Sequence, residues 1–193
     1  PSPSLAKLRP KALAGRSAQE SAAPLIDEAI HLLDEGVTDG VLDLFERAHE
    51  AHPQDPYTLV NFSLALARAG RHAEAAEGLL LARARAPVPL DRLCVINAAF
   101  ALADGGDAQG AADLLDRGFH NVNEPTDSPS ELMADLPSLA VFVFAPGGSK
   151  ETLPGVALER LERLADALQS ATPASVRTLI ECYRNAALRP TSN

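Results

Sequence analysis

Residues 55–87 read DPYTLVNFSLALARAGRHAEAAEGLLLARARAP, and this stretch decides the fold. Asp55 stands where a helix N-cap belongs, with Pro56 in the first helical turn. Leu59, Phe62, Ser63 and Leu66 follow at helical spacing before Gly70 breaks the run. Ala75, Leu79 and Ala82 then stripe a partner helix that ends near Pro87. The stretch predicts a pair of antiparallel helices.

The pattern has an echo upstream. Gly36, Ala48 and Pro53 return as Gly70, Ala82 and Pro87, each 34 positions later. A fixed period of this length marks an array of similar units. Ser17 and Glu20 have capping-box spacing, and Pro24 fits an early turn of a helix running to about Glu35. Thr38 is placed to cap the next helix, which carries Val41, Leu42, Leu44, Phe45 and Ala48 and stops before Pro53. Downstream, Pro89 opens a third pair with Leu93, Ile96, Asn97 and Phe100. The turn at Asp104, Gly105, Gly106 and Asp107 separates it from residues 111–119.

These residues together resemble the tetratricopeptide repeat, a helix–turn–helix unit of this length. In the second unit Leu59, Phe62, Ser63, Leu66, Gly70, Ala75, Leu79, Ala82 and Pro87 occupy its usual positions. In the first, Leu25, Ala29, Leu32, Gly36, Val41, Phe45, Ala48 and Pro53 match, but Glu28 sits where an apolar residue is expected. The third matches through its first helix, then needs about two extra residues in the turn before Ala111, Leu115 and Gly118 align. The resemblance covers roughly residues 22–120 and implies an all-α, right-handed helical-hairpin solenoid. One such unit cannot bury its own face, so at least three stack and the terminal ones are capped.

After Asn121 the period is lost. Residues 123–130 form a polar connector, with Ser128 and Glu131 at capping-box spacing. The apolar stretch 132–145 reads as a strand on propensity alone; with no second strand to pair it, a kinked helix packed on the repeats is preferred. Pro146–Gly155 reads as a loop, followed by helices at about 156–169 and 174–188, the latter started by Thr172 and Pro173. Leu158, Leu161, Leu164, Ala165 and Leu168 stripe the first; Val176, Leu179, Ile180 and Tyr183 stripe the second. The organisation expected is a basic leader at 1–16, three helix pairs at 17–122 and a C-terminal helical extension or cap at 123–193.

Charge restricts partners. The chain is −9, while residues 1–20 carry Lys7, Arg9, Lys11 and Arg16 against Glu20, so the remainder is −12. An acidic body repels phosphate backbones, which argues against nucleic acid. No apolar run approaches a membrane span, and with no secretory apolar segment at the start a cytoplasmic location is expected. Cys94 and Cys182 are isolated thiols, read as small core residues.

In tetratricopeptide arrays the first helix of each pair lines a concave groove. On that resemblance the groove positions are Ile26, Ile30 and Leu33, then Tyr57, Val60, Asn61, Leu64 and Arg68, then Asp91, Cys94 and Ala98. The set is mostly apolar and suits an amphipathic helix or extended apolar peptide. Of the positions with which some members clamp a partner's terminal carboxylate, only Asn61 matches; Ile26, Ile30, Asp91 and Val95 depart, which disfavours that clamp.

The remaining constellations read as ordinary chemistry. His49 and His52 share a helix end but lack a third metal ligand. Lys150 follows Pro146, Gly147, Gly148 and Ser149 without the spacing of a phosphate loop. Asp116, His120 and Cys182 have no catalytic spacing, and Asn61 to Ser63 formally matches a glycosylation acceptor within a helix. The sequence thus predicts a protein-binding adaptor, assembly factor or complex subunit, with no catalytic residues, cofactor or metal, and a basic or amphipathic protein partner. The alternative is a self-assembling subunit whose groove is filled by its own C-terminal helices or another copy. An enzyme with its chemistry in 123–193 is the third class, without a motif to support it.

Overall fold

A computed structural model describes residues 22–35, 37, 39–87, 90–118 and 153–187. These residues are helical, with no strand among them. In chain order the helices are α1 (Ala22–Asp34), α2 (Val41–Ala51), α3 (Pro56–Arg68), α4 (His72–Arg83), α5 (Leu90–Asp104), α6 (Ala108–Gly118), α7 (Leu153–Leu168) and α8 (Ala174–Ala187). A short 3-10 turn, Gln169–Ala171, follows α7. No helix among the described residues is long and apolar enough to cross a membrane. The chain divides into two compact units, Pro1–Cys94 and Val95–Asn193, and the division falls inside α5.

In the first unit α1 packs on α2, α2 on α3 and α3 on α4, and α1 also touches α3. The stripes foreseen in the sequence are the ones buried: Leu25, Ala29, Phe45 and Ala48 in the first pair, Leu59, Phe62, Leu66, Leu79 and Ala82 in the second. Each large side chain withdrawn from water contributes about 1.5–3 kcal/mol, so these faces hold the helices together. Asp55 caps α3, accepting hydrogen bonds from Tyr57 N at 3.4 Å and Thr58 N at 3.0 Å, with Pro56 as the first helical residue. Thr58 Oγ1 donates to His52 O at 3.0 Å and Asp55 O at 2.9 Å. Arg85 reaches back to donate to Pro53 O at 3.0 Å, tying the end of α4 to the α2–α3 linker.

One backbone hydrogen bond recurs at the ends of α1, α3 and α5. Arg71 N donates to Leu66 O at 2.9 Å and Gly70 N to Ala67 O at 3.0 Å, while Gly70 takes a left-handed φ of 76°. This is the Schellman arrangement, in which glycine tolerates the positive φ and two otherwise orphaned carbonyls are satisfied. The outer bond occurs 34 residues earlier, Val37 N to Leu32 O at 2.8 Å, and 36 residues later, Asp107 N to Leu102 O at 2.9 Å. The turn after α5 is therefore built like the turn after α3. The two extra residues expected in that turn instead lengthen the helix: α5 has 15 residues and α3 has 13.

Three local expectations change. Gly40, not Thr38, is the N-cap of α2; it has φ 79° and offers no side-chain cap. Thr38 itself lies outside the described residues, as do Ser17, Glu20, Gly36 and Pro89. Residues 153–155 belong to α7, not to the preceding loop, and Pro154 is accommodated because the first turn needs no N–H from it. The connector, the apolar stretch 132–145 and the loop before Leu153 lie outside the described residues.

In the second unit α6 packs on α7 and α8, and those two on each other. One core joins Val95, Ile96, Ala99 and Phe100 of α5, Ala111 and Leu115 of α6, Ala157, Leu161 and Leu164 of α7, and Val176, Leu179, Ile180 and Tyr183 of α8. The third expected pair thus shares its core with the C-terminal helices. Thr172 Oγ1 donates to Ala165 O at 3.1 Å and Gln169 O at 2.8 Å, closing the bend between α7 and α8.

Candidate protein-binding surface

Capping by Asp55 fixes the start of α3 and so determines which residues share its face. Tyr57, Val60, Asn61, Leu64 and Arg68 lie at three- and four-residue spacings, which places them along one stripe. Tyr57, next to the cap, is 55% exposed; Asn61 and Leu64 are half-buried, and Arg68 is exposed. Val60 is buried. On α1, Ile30 is 44% exposed and Ile26 half-buried. Leu33 lies in α1, with its side chain outside the described set. The contact between α1 and α3 brings these two helices together in one unit.

The positions on α5 differ. Cys94 and Ala98 are fully buried, and Asp91 is half-buried. Asp91 Oδ1 is enclosed and makes no hydrogen bond to the described residues. Burial, with the nearby Asp91 carboxylate adding to it, pushes the Cys94 thiol up to about 12. Such a thiol stays protonated and unreactive near neutral pH. Cys182 is half-buried, and its thiol is also raised by burial and by Glu181.

The polar constellations read in the sequence find other work. His49 is buried and stacks on Phe62, with ring centroids 5.7 Å apart and an interplanar angle of 14°. His52 is exposed and offers its carbonyl to Thr58. No group of three metal-ligating side chains occurs among the described residues. Asp116 accepts from Ser175 Oγ at 3.0 Å, and Ser63 Oγ donates to Leu59 O at 2.7 Å. His120 and Lys150 lie outside the described residues.

Sequence reading did not single out Arg160. Its guanidinium lies 4.6 Å from the centre of the Phe100 ring and pairs with Asp104. Spacing alone gives no sign of this, because Asp104 lies 56 residues away in sequence and Phe100 still farther. No protein-family model matches the chain, and no curated protein or solved structure matches it.

Proposed function

We propose that the chain is a noncovalent protein-recognition module of the tetratricopeptide type, receiving an amphipathic or extended segment of a partner on the stripe formed by α1 and α3. The observation that carries this reading is the exposure of Tyr57 and Ile30, with Ile26 and Leu64 half-buried beside them, on helices that bury Leu25, Ala29, Leu59 and Leu66. Tyrosine brings large contact area with few torsions to fix, and central aromatic anchors dominate most interfaces. Leu64 extends the apolar strip by two turns of α3, and Asn61 between them is a polar group suited to a partner's backbone.

Charge supports a basic partner. Between residues 22 and 51 the chain carries eight carboxylates and one arginine, Arg47. A surface of that sign steers cationic segments toward the apolar strip and repels acidic ones. The test is site-specific photo-crosslinking in native extract from position 57, with position 73, exposed on α4, as the comparison. A discrete adduct from position 57 alone supports the reading; the same adducts from both positions oppose it.

A second reading is favoured by the burial of Val60, Cys94 and Ala98, which are covered in the chain as it stands. In it the groove is filled by the chain itself or by another copy, and the chain serves as a structural subunit. Mass in solution across a wide concentration range separates the two, since self-assembly gives an oligomer that dissociates on dilution.

A further inference from the structure

The second unit holds a cavity of about 170 Å³ where the C-terminal end of α5, the start of α6 and the C-terminal half of α7 meet. Phe100, Ala108 and Leu164 give it apolar walls, and Asp104, Arg160 and Arg163 are its charged lining groups. This is well below the roughly 300 Å³ at which drug-sized ligands are held, and suits a single branched aliphatic group. We propose that the cavity binds a carboxylate carried on a compact aliphatic group, the chemistry shared by a short branched-chain acid and the C-terminal residue of a peptide.

Three observations carry the assignment. The lining has two guanidiniums and one carboxylate, and the second carboxylate, Glu159, pairs with Arg163 from outside the lining. Arg160 is fixed in place by Asp104 and by stacking on Phe100, which presents a planar donor group at the edge of an apolar wall. Burial, with Arg163 nearby, lowers its pKa, and the Asp104 carboxylate opposes the shift. Arg163, by contrast, is exposed and paired with Glu159 at 2.6 Å on the surface of the same helix. Surface pairs of this kind are weak, and Arg163 is free to exchange Glu159 for a ligand carboxylate at the cavity mouth. The aliphatic group enters between Phe100 and Leu164 while the carboxylate stays at the rim with the two arginines.

This inference is independent of the reading of α1 and α3, and its failure leaves that reading untouched. The test follows backbone amide NMR signals of the full chain during titration with isocaproate, with its neutral counterpart isocaproamide, and with N-acetyl-alanyl-alanyl-leucine. Saturable shifts centred on Ala103, Ala108, Leu164 and Ala167 are expected with the acid, the peptide or both, and which of the two saturates identifies the source of the carboxylate. Because a charge-assisted hydrogen bond is lost, isocaproamide is expected to bind at least about tenfold more weakly. Arg163→Gln is expected to give the same loss, and Ala167→Leu to block the cavity. Both positions are exposed, so neither variant disturbs the core. The proposal is overturned if neither acid nor peptide gives a saturable shift, or if the carboxamide and Arg163→Gln leave binding unchanged.

Discussion

Gly78 on α4 lies so close to Ser63 on α3 that no side chain fits between them: a Cβ on Gly78 would overlap Ser63 Oγ and stand 3.3 Å from Ser63 Cβ. Ser63 cannot swing clear without giving up its 2.7 Å hydrogen bond to Leu59 O. This contact sets how closely the two helices of the second pair approach. Gly78→Ala is expected to destabilise the chain by about 1–3 kcal/mol, the usual cost of overpacking. The double variant Gly78→Ala with Ser63→Ala should recover part of that loss in denaturant unfolding. Additive losses would show that the contact is not the cause.

Asp55 accepts two backbone N–H groups at the start of the helix that carries Tyr57 and Leu64. Asp55→Ala is expected to cost about 1 kcal/mol of stability, and Asp55→Asn much less. The same unfolding measurement decides it. Equal losses in both variants would mean that the carboxylate's charge, not its capping bond, matters.

Much of the first unit was legible because apolar spacing, an N-cap and a helix-ending glycine all agree between Asp55 and Pro87. The two-residue insertion was legible as a number but not as a place. Length counts the extra residues between Phe100 and Ala111, while only the hydrogen bonds reveal that α5 absorbs them and the turn keeps its closure. The start of α2 was misplaced because Thr38 is a good capping residue; chain geometry overrides it with Gly40 in the left-handed region. On the candidate surface, helical spacing identified the stripe but not its accessibility. Tyr57 and Val60 lie one turn apart, yet one is exposed and the other buried. Gly78 and Arg160 carried no local signal, since both depend on partners from another helix.

Tyr183 is fully buried in the core of the second unit, and its hydroxyl makes no hydrogen bond to the described residues. An unsatisfied buried hydroxyl costs about 1–3 kcal/mol, so Tyr183→Phe is expected to be neutral or stabilising. A clear loss of stability in denaturant unfolding would mean that the hydroxyl has a partner, such as an internal water.

Alkaline pH should weaken the fold. Burial raises Cys94 from an ordinary 9.0 to about 12, and burial with Cys182 nearby raises Tyr183 above its ordinary 10.0. Both are neutral when folded, so below pH 9.0 their contribution is complete. Above it the unfolded chain loses protons that the folded chain retains, and stability falls until the folded thiol itself ionises near 12. The urea midpoint is expected to drop between about pH 9 and about pH 12, and to drop less in Cys94→Ala. An identical fall in that variant would place the effect elsewhere.

Recognition of a partner by the α1–α3 stripe stands or falls with Leu64→Glu. The position is half-buried and two residues from the buried Leu66, so it faces roughly the opposite side of α3, and glutamate there places a charge in the apolar strip. The measurement is the affinity of the crosslinked partner for the wild type and for Leu64→Glu, alongside their unfolding midpoints. Recognition by the stripe predicts a loss of at least about tenfold in affinity with the midpoint little changed, as expected for a residue in the centre of an interface. Undiminished binding by a folded Leu64→Glu chain would contradict it.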